Sequence, residues 1–110
     1  MMSQEYPVEE FWKFELKVGQ VLEAEKVQGS QKLIKLTVDF GNEKRTIVTG
    51  VADQHMPSEF IGKKMIFVLN LKPKKVFGIE SKGMLLLAED EGKRTYLVYA
   101  DNVPVGSRFY

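Results

Sequence analysis

The sequence has no cysteine and a single histidine. The first absence excludes disulfides, thiolate zinc sites and a cysteine nucleophile, and is compatible with a reducing compartment. With His55 alone a typical zinc site cannot be assembled. A serine or threonine nucleophile also lacks a nearby base. The phosphate-loop order G-x-x-x-x-G-K-[ST] is missing, because Lys82 precedes Gly83 and Met84 follows it. Glu89, Asp90 and Glu91 cluster at a turn without the ligand spacing of a calcium loop. No catalytic residue, metal or cofactor is therefore assigned, and the expectation is a protein that is not an enzyme. No stretch approaches the roughly 18 apolar residues of a membrane span. The acidic beginning, "MMSQEYPVEEFWKFELK", lacks the apolar run of a signal peptide. A cytoplasmic protein with no membrane partner is expected.

What is present is an ordinary globular mixture, with 44% hydrophobic and 28% charged residues over 110 positions. That length favours one domain, 1–110, able to bury roughly 65% of its unfolded surface. Net charge is only +1, but it is unevenly placed. Residues 1–28 carry six acids and three bases, residues 29–84 ten bases and five acids, and residues 85–110 three bases and four acids. Within 63–82 six lysines face one acid, Glu80. A near-neutral chain can thus present one basic face.

Periodicity points to an all-β chain. Residues 7–14, "PVEEFWKF", suit a short N-terminal helix with Val8, Phe11 and Trp12 on one apolar face, so 1–14 reads as a helical extension. Strands are expected over 15–27, with Gly19 marking a bulge or sharp bend, and over 32–40, where Ile34, Leu36, Val38 and Phe40 alternate with polar residues. Gly41-Asn42 reads as a two-residue hairpin turn leading to a strand over 44–51. Residues 56–62 suit one or two helical turns, with Pro57 at the start and Gly62 as cap. Further strands are expected over 63–71, 83–89 and 95–100, with a turn at 91–93 and a closing segment over 101–110. Five strands with a small helix between the third and fourth match the oligonucleotide/oligosaccharide-binding (OB) five-stranded barrel. A small sandwich would give a similar string.

The segment Asn70–Met84, "NLKPKKVFGIESKGM", is too long and too basic for a simple connection. Pro73 stops the strand among Lys72, Lys74 and Lys75. Val76, Phe77 and Ile79 offer apolar contacts, Gly78 permits tight backbone geometry or close approach of a ligand, and Ser81 can donate to a phosphate or ribose. Met84 suits either a base contact or the core. Cations, a hydroxyl and adaptable apolar groups together make a plausible nucleic-acid contact.

"NLKPKKVFGIESKGMLL" resembles the signature of the tRNA-binding domain family, through Asn70-Leu71-Lys72-Pro73, Gly78, Ser81, Gly83-Met84 and Leu86. "ELKVGQV" (15–21) resembles that family's opening strand, "RTIVTGV" (45–51) its third, and "IGKKMIFVLNL" (61–71) its fourth. The similarity spans roughly residues 11–108. Of the His-Pro-x-Ala-Asp-Lys-Leu motif found in many members, only Lys32-Leu33 remains, and lysine replaces the frequent arginine at Lys17 and Lys74. Ser81-x-Gly83-Met84 favours the tRNA branch over a related secretion-chaperone-like branch.

The resemblance implies an OB barrel without catalytic chemistry that binds tRNA by its shape. It acts alone as a homodimer or as an auxiliary subunit or domain of a methionyl-tRNA synthetase. On that basis Lys72, Lys74, Lys75 and Lys82 are candidate phosphate contacts, extended by Lys32 and Arg45. Asn70, Ser81 and Met84 are candidates for ribose or base. Val103, Val105, Phe109 and Tyr110 are candidates for the dimer contact or for closing the barrel. The rival expectation is a secretion-chaperone-like peptide-binding OB protein with an apolar groove near Phe77 and Met84.

Overall fold

Strand β1 (Leu16–Lys26) organises the fold because it pairs on both edges. The computed structural model describes residues 3–110. On one edge β1 meets β2 (Ile34–Asp39), and on the other β4 (Lys64–Val68). β3 (Lys44–Thr49) pairs with β2, and β7 (Met84–Leu85) with β4, giving the order β3-β2-β1-β4-β7. All these pairings are antiparallel. The ends meet where Lys82 N donates to Thr46 O at 2.9 Å and Val48 N donates to Ser81 Oγ at 2.9 Å. The result is a nearly closed five-stranded barrel, as the sequence leads one to expect.

The alternation in β2 decides which residues line the interior. Ile34, Leu36 and Val38 are fully buried, and so are Ile47 of β3 and Met65 and Phe67 of β4. Each such side chain contributes about 1.5–3 kcal/mol by leaving water. Phe40 meets Phe67 edge to face at 5.4 Å between ring centroids. Gly19 has its explanation here. A methyl group on it would lie 2.5 Å from Phe40 Cε1 and from Val38 Cγ1, so β1 can pass beneath the aromatic pair only without a side chain. The register irregularity of β1 falls between Val21 and Glu23 and not at Gly19.

Phe40 N donates to Glu43 O across the Gly41-Asn42 turn, with Gly41 at φ 95°. Beyond β3, residues 57–59 form a single 3-10 turn that inserts Phe60, fully buried, against the core. The N-terminal helix α1 is only Val8–Phe11, and the apolar face of Val8, Phe11 and Trp12 lies exposed. Four residues cannot stabilise a helix alone. Asn70 holds the following segment by donating from Nδ2 to Lys13 O at 2.6 Å and accepting from Glu15 N at 2.6 Å.

The later part departs most from expectation. The strand expected over 83–89 is two pieces, β7 and β8 (Ala88–Glu89), and 95–100 contributes only β9 (Thr95–Tyr96), which pairs with β8. β10 (Arg108–Phe109) closes the chain against Leu16 and Lys17. His55 is enclosed, not at the surface: Nδ1 lies 3.2 Å from Glu59 Oε1 and Nε2 3.0 Å from Thr95 Oγ1, tying the 3-10 turn to β9. Among the described residues no helix is long and apolar enough to cross a membrane.

Candidate functional site

Between β4 and β7 the chain leaves the barrel as a hairpin, β5 (Lys74–Val76) and β6 (Ile79–Ser81). Phe77 and Gly78 form its tip at φ 53° and 80°. Positive φ at both central residues is the geometry whose twist matches a two-residue hairpin. Val76 pairs with Ile79 and Lys74 with Ser81, while Lys75 pairs with Glu80 on the opposite face. Half-buried Val76 and Ile79 and buried Ser81 therefore turn toward the barrel. Lys75 and Glu80 turn to solvent.

Several of the polar residues singled out in the sequence hold this hairpin from beneath. Arg45 reaches both of its stems: Nη1 donates to Leu69 O at 2.8 Å and to Lys82 O at 3.2 Å. The remaining guanidinium edge meets Glu43, Nε to Oε1 at 3.0 Å and Nη2 to Oε2 at 3.2 Å. This pair holds the Glu43 carboxyl below its ordinary value, chiefly through the Arg45 hydrogen bond. Ser81, only 6% exposed, accepts from Val48 N and donates to Gly83 O at 3.3 Å. Gly83 follows at φ 142°, and a methyl group there would sit 3.0 Å from Val68 O.

The expectation that Ser81 faces a ribose or phosphate is thus corrected. Its hydroxyl is buried and its hydrogen-bonding capacity is used inside the barrel seam. Arg45 and Asn70 likewise spend their polar atoms within the chain. A sequence motif cannot distinguish a hydroxyl aimed at a ligand from one that joins two strands.

The lysines are placed differently. Lys72, Lys74 and Lys75 are exposed and, among the described residues, none pairs with a carboxylate. Lys82 is exposed and lies 3.6 Å from Glu80. Lys32 is apart from the hairpin and lines an open groove of about 690 Å³ together with Gly50, Asp53, Met84 and Leu86. Met84, left open between core and surface, is 45% exposed, so it faces that groove and not the core. The structure therefore brings Lys72, Lys74, Lys75 and Lys82 onto one excursion, and Lys32 and Met84 into one groove beside it. Among the described residues no group of three potential metal ligands occurs.

A second surface was visible in the sequence only as helical spacing. Tyr6, Val8, Phe11, Trp12 and Phe14 are all exposed, and most of them surround an apolar hollow of about 550 Å³. Arg108 Nη2 donates to Trp12 O at 2.9 Å, which sets the two ends of the chain side by side. Tyr110 is 81% exposed there, whereas Val103, Val105 and Phe109 are half-buried.

Residues 16–108 match the family described as "Putative tRNA binding domain". The chain is 46% identical over 106 residues to a methionine--tRNA ligase of Archaeoglobus fulgidus, which covers 96% of this chain but only 16% of that protein. A structure of a MetRS related protein from Pyrococcus horikoshii superposes with a TM-score of 0.96 at 60% identity, covering 98% of this chain and 100% of that one. The chaperone CsaA from Bacillus anthracis superposes at 0.85 with 25% identity, covering 97% and 100%.

Proposed function

Because the chain belongs to the tRNA-binding domain family, we propose that it is a non-catalytic, structure-specific tRNA-binding protein. It grips the phosphate backbone through Lys72, Lys74, Lys75 and Lys82, with Lys32 extending the cationic surface. Met84 contacts a base or sugar from the groove. The observation that carries this reading is the hairpin itself. Its lysines are held out on a rigid, internally clamped excursion, and three of them have no carboxylate partner among the described residues. Arg45, Asn70 and Ser81 act by fixing that excursion. Such an arrangement reads the spacing of phosphates and not base identity. The cytoplasm is the compartment this function implies.

The working unit in this proposal is a homodimer formed through the exposed Tyr6, Phe11, Trp12 and Phe14 with Tyr110. One such module offers few phosphate contacts, and two coupled modules gain affinity through effective concentration. The chain spans 16% of the ligase it resembles, so an auxiliary role beside a methionyl-tRNA synthetase is part of the proposal. The likeness to a chaperone favours one rival, binding of unfolded polypeptide in an apolar groove.

A competition assay separates these readings, using folded tRNA, unfolded tRNA and single-stranded DNA of equal length. Preference for folded tRNA supports the proposal. Equal affinity for all three rejects shape recognition. Binding of unfolded polypeptide that persists in high salt, without tRNA binding, supports the rival.

A further inference from the structure

We propose that Phe77 is a stacking platform for an unpaired nucleobase of the bound RNA, an inference that rests on the tRNA-binding reading above. Phe77 occupies the first central position of the β5–β6 turn at φ 53°, followed by Gly78 at φ 80°. Asparagine or glycine adopts such a conformation easily, whereas a bulky side chain there is a true outlier. Packing within the chain offsets that strain only in part. A methyl group on Gly29 would lie 3.5 Å from Phe77 Cε2, so one edge of the ring leans on the loop between β1 and β2. The residue is still 61% exposed. The ring is thus steadied on one side and open on the other.

Its surroundings identify the occupant. Lys74 and Lys75 precede it by two and three residues on the same hairpin, both exposed and neither with a carboxylate partner among the described residues. An aromatic face beside free cations suits a group that joins a flat ring to a phosphate, as an unstacked nucleotide does. An apolar peptide side chain would use the ring but not the charges.

The test measures tRNA affinity across a salt series for the wild type, Phe77→Asn and Phe77→Tyr. Asparagine accepts the positive φ, so the hairpin is retained, while the stacking surface is lost. Phe77→Asn is expected to bind about tenfold more weakly at every salt concentration, with an unchanged salt slope, because a stacked base but no phosphate contact is removed. Phe77→Tyr is expected to bind as the wild type does. In a Trp12→Phe background, which removes the sole tryptophan, Phe77→Trp is expected to show fluorescence quenched by tRNA. Wild-type affinity in Phe77→Asn overturns the proposal and leaves tRNA binding intact. A weaker affinity with a shallower salt slope also overturns it, since the ring would then only position the lysines. Absence of tRNA binding by the wild type overturns both readings together.

Discussion

Replacing Lys72, Lys74 and Lys75 together by alanine tests the core of the argument through its salt dependence. The three side chains are exposed and make no ion pair among the described residues. Lys17, Lys35 and Lys63 instead lie 3.3, 3.9 and 3.8 Å from Glu15, Glu25 and Asp101. A free ammonium can neutralise a phosphate without first giving up a carboxylate. With five phosphates engaged, log affinity falls against log salt with a slope of roughly −3.5 to −4.5. Three contacts account for about 2.1 to 2.7 of that, so the triple variant retains a slope of roughly −1.4 to −1.8. Between 1 M and 0.1 M salt, a change of about 2.7 is worth about 2.7 log units, a loss near 500-fold at 0.1 M. One surviving contact out of three would still leave about an eightfold loss per unit of slope removed, so at least tenfold is expected overall. Fluorescence anisotropy with labelled tRNA at several salt concentrations gives both quantities, and circular dichroism checks that the barrel persists. Lys63→Ala is the control and should leave the slope unchanged, because Lys63 already pairs with Asp101 and lies over the Tyr99 ring. A triple variant that keeps the wild-type slope would refute the assignment and move the phosphate site off the hairpin.

The remaining predictions separate scaffold from contact. Gly19→Ala forces a methyl group against Phe40 and Val38 and should cost about 1–3 kcal/mol, read as a lower urea midpoint. Ser81→Ala leaves the buried Val48 N–H without its acceptor and should cost about 1–3 kcal/mol while keeping the salt slope of tRNA binding. A lost slope without lost stability would instead return Ser81 to the ligand. The Glu43 carboxyl is depressed in the folded protein, chiefly by its hydrogen bond from Arg45. Its contribution is therefore full above the ordinary value of 4.5 and disappears as the pH falls through the lower folded value. Acid titration of stability should show that limb in the wild type and not in Glu43→Gln; identical limbs would refute the role of the pair.

The legible parts of the fold were those in which a local pattern decides the outcome. β2 could be read because Ile34, Leu36 and Val38 occupy every second position and all face one core. Gly41-Asn42 could be read because the turn needs positive φ. The final barrel strand could not. "MLLLAE" is continuously apolar, but only Met84–Leu85 is paired as a strand, and Leu86 N continues the seam to Ile66 O at 3.0 Å. What ends it is closure of the barrel, a non-local condition. The helical spacing of Val8, Phe11 and Trp12 misleads for a related reason: periodicity reports an apolar face without saying what covers it.

The same distinction divides the signature segment. Its positive charge was legible as a basic face because lysine side chains seldom spend themselves inside a core. The destinations of Asn70, Arg45 and Ser81 were not, since each is chemically as able to bind a ribose as to join two strands. The geometry assigns these polar atoms inward, to Glu15, Lys13, Leu69, Lys82 and Val48. A motif shared with relatives therefore need not be a list of contacts. Here the uncharged polar residues and the one arginine set the angle of the hairpin, and the lysines use it. Changes in the first group should alter stability and affinity together, whereas changes in the second should alter affinity and salt dependence with the barrel intact.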